Sequence, residues 1–207
     1  MPDAEGVMAV LFDAGGVLNR PSDRFINNEA AKILKAPKDA VAKAIRKFEP
    51  DFQTGDITEH EFWKRVVKEL SIDPVPDRIW GVWGRTFERV YKVKEDTVEL
   101  AKRLRYAGYK TGILSNAEAP HVDITRRKRY FAGFDPLVFS CEVGLRKPGK
   151  EIFQLALDRL DLPASQVAYT DDNESKLAGA KELGMHTHVF KDAAGLEKWL
   201  MALGLVF

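Results

Sequence analysis

VMAVLFDAGG, residues 7–16, is the stretch whose reading decides the fold. Six apolar residues end at Asp13, and the glycine pair Gly15-Gly16 follows at once. A short apolar run bounded by Gly6 and by a glycine turn predicts a strand buried on both faces of a parallel sheet. Four further strands are predicted downstream, at Lys110–Leu114, Leu137–Phe139, Gln166–Tyr169 and His186–Phe190. Helical patterns lie between and after them, over Glu95–Tyr106, Pro120–Tyr130, Lys150–Leu160, Glu174–Leu183 and Ala193–Leu203. Strands alternating with helices imply right-handed crossovers and an α/β, doubly wound parallel sheet. Such sheets bind ligands beyond the carboxyl ends of their strands.

Residues 20–92 break the alternation. Ser22 is placed to cap a helix running to Leu34, Pro37 to open a second, and Thr58 to cap a third with Glu61 in capping-box register. A fourth helix is expected after Pro76, carrying Ile79, Trp83, Phe87 and Val90 at three-to-four-residue spacing. The expected organisation is a core of residues 1–19 and 93–207 with a helical cap, residues 20–92, inserted over the end of the first strand. Trp80, Trp83 and Phe87 are assigned to the packing of that cap.

Composition narrows the function. The 207 residues hold 32 Lys+Arg against 31 Asp+Glu, so no global field draws the chain to nucleic acid or to an anionic membrane. The run Arg126-Arg127-Lys128-Arg129 reads as a solvated helix face. No stretch of about 18 apolar residues predicts a membrane span, and MPDAEGVMAVLF lacks the pattern of a secretion signal. The single cysteine, Cys141, suits a reducing, cytoplasmic setting. His186 and His188 share a strand face but lack a third ligand for zinc. The glycine turn is not a nucleotide P-loop, since no Gly-Lys-Ser/Thr follows it.

Four polar groups fall at or beyond predicted strand ends: Asp13, Ser115-Asn116, Lys147 and Asp171-Asp172. Any one alone is an ordinary helix cap. Together they are the types that phosphoryl transfer needs. Asp13 can attack an electrophile and form a covalent intermediate. With Asp13, Asp171 and Asp172 can hold a hard divalent cation such as Mg2+, which offsets repulsion between nucleophile and anionic substrate. Ser115, Asn116 and the amides of the turn at Gly16 can donate to phosphoryl oxygens, and Lys147 adds a point charge.

LFDAGGVLN, ILSN, LRKP and YTDDNESKLAGA resemble, in that order, the four motifs of haloacid dehalogenase (HAD) hydrolases. The stretch FQTGDITEHEFW resembles the branch holding glucose-1-phosphate phosphatases and the phosphatase domain of epoxide hydrolases. The resemblance implies a Rossmann-like core with a cap, Asp13 as nucleophile, and Mg2+ held partly by the Gly15 carbonyl. It implies a magnesium-dependent phosphatase acting on a small phosphorylated metabolite.

Two positions depart from that pattern. Most phosphatases of the superfamily carry a second Asp two residues after the nucleophile, as general acid and base. Here the position is Gly15, a loss worth about 10² to 10⁴-fold if nothing substitutes; some members of this branch share the glycine. Asp23 and His121 are the candidate substitutes, although His121 is first assigned a surface or capping role. Lys176 stands where the family has Asn or Asp, placed either to repel Lys147 and a metal or to face solvent. Two other readings stay open: a haloacid dehalogenase, since FDAGG also resembles the motif of those enzymes, and a catalytically weak binding or regulatory protein.

Overall fold

Four of the five core strands carry apolar residues on both faces, and this builds the three-layer arrangement. The computed structural model describes residues 6–207; of the N-terminal stretch read above, residues 1–5 lie outside the described residues. The strands are β1 (Ala9–Phe12), β2 (Lys110–Ser115), β3 (Leu137–Phe139), β4 (Val167–Asp171) and β5 (His186–Val189). All pair in parallel, in the order β3-β2-β1-β4-β5. β1 is central and completely buried. Val10 and Phe12 pack on one face with Leu100, Leu104, Leu196 and Leu200, while Ala9 and Leu11 face Ile152, Phe153 and Leu157 on the other. Both faces are thus covered by helices, as an all-parallel sheet requires.

The insertion follows β1. It comprises α1 (Asp23–Leu34), α2 (Lys38–Gln53), α3 (Glu59–Glu69) and α4 (Val82–Val90), packed on a core of their own that includes Ile26, Val41, Ile45, Phe62, Trp63 and Trp83. Thr58 caps α3 as expected, its side chain accepting from the Glu61 amide at 3.2 Å. Ser22 departs from expectation: it is buried, its backbone is already helical, and its side chain makes no cap bond. The helix expected after Pro76 is also divided. A 3-10 turn spans Asp77–Ile79, Trp80 is extended, and Gly81 takes φ +70° before α4 begins. A left-handed residue cannot continue an α-helix, so Ile79 and Trp83 reach one core from two elements.

Chain entry and exit run side by side: the Arg20 amide donates to the Lys92 carbonyl at 2.8 Å, and Asn19 bridges Val93. Beyond this neck the chain forms α5 (Glu95–Tyr106) and, past β2, α6 (Ala119–Lys128). α7 (Ser140–Val143), α8 (Lys150–Leu160), α9 (Ala178–Glu182) and α10 (Ala193–Ala202) complete the layers. The predicted helix Glu174–Leu183 is split: a 3-10 turn over Glu174–Leu177 leads into α9. No helix of the described residues is long and apolar enough to cross a membrane.

Gly112 of β2 shows how tightly the sheet is covered. A Cβ there would lie 2.7 Å from Leu11 Cδ2 and 2.8 Å from the Pro136 carbonyl oxygen. Gly112→Ala should therefore lower unfolding free energy by about 1–3 kcal/mol, as overpacking does. A urea denaturation curve superposing on that of the wild type would contradict this packing.

Candidate active site

Strand register converges the candidate carboxylates. Phe12 pairs with Ile113 on one side and Thr170 on the other, so Asp13 emerges level with Leu114 and Asp171. The amide of Asp13 donates to the Thr170 carbonyl at 2.9 Å, which continues the β1–β4 pairing as far as Asp13. Carboxylate oxygens of Asp13, Asp171 and Asp172 lie within 4.8 Å of one another.

Lys147 sits among them, 2% exposed. Its ammonium donates to Asp13 Oδ1 at 2.8 Å and to Asp171 Oδ2 at 2.6 Å. Tyr169 adds a second donor to Asp171 Oδ2 at 2.6 Å, and the Asn173 amide donates to Oδ1 at 2.9 Å. Burial opposes the charge on Lys147, but Asp13 and Asp171 outweigh it and raise its pKa. Burial raises the pKa of Asp13; Lys147 opposes the rise and Asp171 adds to it, while the Ser115 hydroxyl helps hold the charge. Asp172 is pushed up to about 6 by burial, Asp13 and Asp171. Three carboxylates against the Lys147 ammonium leave an excess of two negative charges, a donor set that fits a divalent cation.

The other expected residues divide by role. Ser115 is buried beside Asp13 in the same cavity. The Asn116 side chain braces the lysine loop: Nδ2 donates to the Lys147 carbonyl at 3.0 Å and Oδ1 accepts from the Lys147 amide at 2.8 Å. It fixes the loop that delivers the lysine, and it also lines the cavity. Gly16, at φ +83°, packs so closely on Asp172 that a Cβ would fall 1.9 Å from its Oδ2. Lys94 donates to the Gly16 carbonyl, tying the turn to the neck. Gly15 is different: a Cβ there would meet nothing within 4 Å. The space a second Asp would occupy is open.

Above the carboxylates lies a cavity of about 340 Å³, whose walls come from both the core and the insertion. Gln53 spans the two layers, donating to Glu118 at 2.9 Å and accepting from Arg146 at 3.1 Å. Lys176 lines the cavity and does not point away to solvent; burial, Arg146 and Lys147 lower its pKa. His121 corrects the surface assignment. It is 9% exposed, bonded through Nδ1 to Glu118 at 3.0 Å, and stacked on Phe87 with centroids 4.0 Å apart. Phe87 is thus cavity wall as well as packing, whereas Trp83 belongs to the core of the insertion. Burial pushes the half-buried Cys141 thiol up to about 12, which removes it as a nucleophile. His186 bonds the Ser165 carbonyl and His188 the Thr170 hydroxyl, and neither joins a metal-competent cluster among the described residues.

Tyr169, Glu118, Gln53 and Lys94 were not among the expected site residues. Tyr169 alone had a usable signal, since it lies two residues before Asp171 on the same face of one strand.

The haloacid dehalogenase-like hydrolase family model matches residues 7–184. The chain belongs to that family. It is 31% identical over 193 residues to acyl-CoA dehydrogenase family member 10 of Mus musculus, covering 86% of this chain and 17% of that protein. It is 26% identical over 205 residues to bifunctional epoxide hydrolase 2 of Sus scrofa, covering 89% of this chain and 36% of that one. The chain therefore spans about a third or less of these two relatives. A glyceraldehyde 3-phosphate phosphatase of Methanocaldococcus jannaschii is 27% identical over 84% of this chain and 66% of its own length. Haloacid dehalogenases also occur among the relatives. A HAD family enzyme of Bacteroides thetaiotaomicron, solved with magnesium and inorganic phosphate, shares the fold at a TM-score of 0.68 and 20% identity, over 90% of this chain and 96% of that one.

The acids of the cavity wall give a pH signature. Glu49 is pushed up to about 8 by burial and by Glu118 and Asp23, against Lys176 and Arg146. The folded chain then keeps a proton that the unfolded chain releases near the ordinary value of 4.5. Stability falls as pH rises between those values and stays low above about 8. Glu49→Gln should match the wild type near pH 4 and be the more stable protein at pH 9. Chemical denaturation at both pH values checks this; a difference that does not widen with pH would contradict it.

Proposed function

We propose that this hydrolase is a magnesium-dependent phosphatase of small phosphorylated metabolites that works through an aspartyl phosphate on Asp13. The observation that carries the reading is the placement of Asp13: bonded to a buried Lys147 and clustered with Asp171 and Asp172, at the floor of a cavity of about 340 Å³.

The ion would be held by Asp13, Asp171, Asp172 and the Gly15 carbonyl, and when bound it supplies the positive charge that lets an anionic ester approach a carboxylate. Lys147 holds Asp13 in place through Oδ1 and favours its ionised form against the effect of burial. Asp13 attacks phosphorus, the alcohol leaves, and water then hydrolyses the acyl phosphate. Ser115 and the main-chain amides of the Gly16 turn donate to the phosphoryl oxygens. Residues 20–92 act as a cap that excludes bulk water, with Gln53 as one of its ties to the core. The lone, half-buried Cys141 suits a cytoplasmic enzyme.

The dehalogenase reading is less well supported. A haloacid carries its own carboxylate, and three acids in one cluster repel it unless a cation is present. Open space at Gly15 and the cavity-facing Lys176 are what favour a weak binding protein.

Asp13→Asn is nearly isosteric and keeps a partner for Lys147. It should lower magnesium-dependent phosphate release by about 10⁴-fold or more while preserving the fold. Phosphate release and circular dichroism on the same sample check this, and a folded variant with wild-type turnover would remove Asp13 as nucleophile.

A further inference from the structure

The floor of the cavity lacks a carboxyl at position 15, and its wall contains a buried imidazole that the mechanism above does not use. Gly15 leaves open space where a second carboxyl would stand. His121, on the first turn of α6, lines the same cavity as Asp13 and Gly15. Its Nδ1 lies 3.0 Å from Glu118 Oε2, and Glu118 Oε1 accepts from Gln53 at 2.9 Å. Glu118 is itself 4% exposed. Its partners His121 and Gln53 overcome the effect of burial and hold this carboxyl below the ordinary carboxylate range.

An ionised acceptor at Nδ1 settles the tautomer: the proton on that atom is committed to Glu118. Proton exchange is then left to Nε2, which is buried and makes no hydrogen bond to any described residue. Phe87 stacks on the ring and limits its rotation, and Trp83 lies 6.0 Å away by centroids. The charged groups around the pair are Asp23 at the start of α1, which faces both His121 and Glu118, and Glu49 of α2, which faces Glu118. α4 packs the Trp83 and Phe87 rings against the imidazole, and its Glu88 pairs with Arg127 and Lys128 further along α6.

We propose that the Glu118–His121 pair supplies the general acid and base that Gly15 lacks, with His121 Nε2 as the proton-transferring atom and Glu118 as its positioning residue; this rests on the phosphatase reading. In the first step the Asp13 oxygen–phosphorus bond forms, the phosphorus–alkoxide bond breaks, and the imidazolium gives its Nε2 proton to the departing oxygen. In the second step neutral Nε2 takes a proton from the water that attacks phosphorus. The bond to Asp13 breaks, and the imidazolium is restored. Protons balance over the cycle, and no other co-reactant is needed.

An acid at the leaving oxygen matters most for alcohols that leave poorly without a proton. Wild type with magnesium, assayed on a series from alkyl phosphates to para-nitrophenyl phosphate, should show kcat/KM that depends only weakly on leaving-group pKa. His121→Gln should lose about 10²-fold or more on the alkyl esters and less than tenfold on para-nitrophenyl phosphate. Glu118→Gln should show the same split in smaller measure. Gly15→Asp added to His121→Gln should recover alkyl ester turnover, since the open space at that position admits the side chain.

A steep leaving-group dependence in the wild type overturns the pair as acid and base without touching the phosphatase reading. So does a folded His121→Gln whose rates fall equally on both ester classes or do not fall. The wild-type series keeps the proposal testable even if His121→Gln does not fold. No phosphate release by wild type from any ester with magnesium would sink the phosphatase reading itself, and the pair with it.

Discussion

The buried ammonium of Lys147 is the interaction on which the rest of the site depends. Asp13 and Asp171 leave adjacent strands side by side, and two buried carboxylates at that separation repel each other strongly. Lys147 bonds both, at 2.8 and 2.6 Å, and so lets the sheet keep two acids at its switch point. The lysine cannot do this alone. Asn116 binds its backbone on both sides, and Tyr169 shares Asp171 Oδ2. Elements distant in sequence are thus committed to one another, with Asp13 and Lys147 134 residues apart. Removing one partner would leave a buried charge uncompensated, which costs more than the pair itself contributes.

This constraint also explains what the glycine turn must do. Gly16 approaches Asp172 more closely than any residue with a Cβ can, so the third carboxylate reaches the other two. The turn meanwhile ends β1 abruptly and sends the chain up a narrow neck into the helical insertion. The insertion then returns to the site through Gln53, which touches Glu118 on one side and Arg146, the neighbour of Lys147, on the other. Gln53 thus joins the Phe87–His121 stack and the ion pairs of Glu88 with Arg127 and Lys128 in linking roof to floor, and any motion of the roof must break or carry those contacts.

Much of this was legible in the sequence. The inner strands could be read because most are short apolar runs ended by a turn or a helix signal, and the motif order placed Asp13, Ser115, Lys147, Asp171 and Asp172 together. What escaped reading depended on tertiary partners. Ser22 looks like a helix cap but is buried and leaves the role unfilled. The break at Trp80-Gly81 was signalled by the glycine, yet the continuous apolar period through Ile79, Trp83 and Phe87 masked it. Asn116 belongs to a recognisable motif, but only the fold shows that its amide binds the Lys147 backbone. His121 gave no periodic signal of its own; its place became evident once Glu118 and Phe87 were seen to enclose it.

The central claim is that Asp13 becomes covalently phosphorylated, and chemical location of the phosphoryl group tests it most directly. The protein should be mixed with magnesium and a phosphate-labelled ester, quenched in acid, reduced with borohydride and mapped by mass spectrometry. Reduction converts an aspartyl phosphate to homoserine, which should appear at residue 13 and at no other aspartate. Phosphate release with no modification at residue 13, or with the label on a different side chain, would contradict the account.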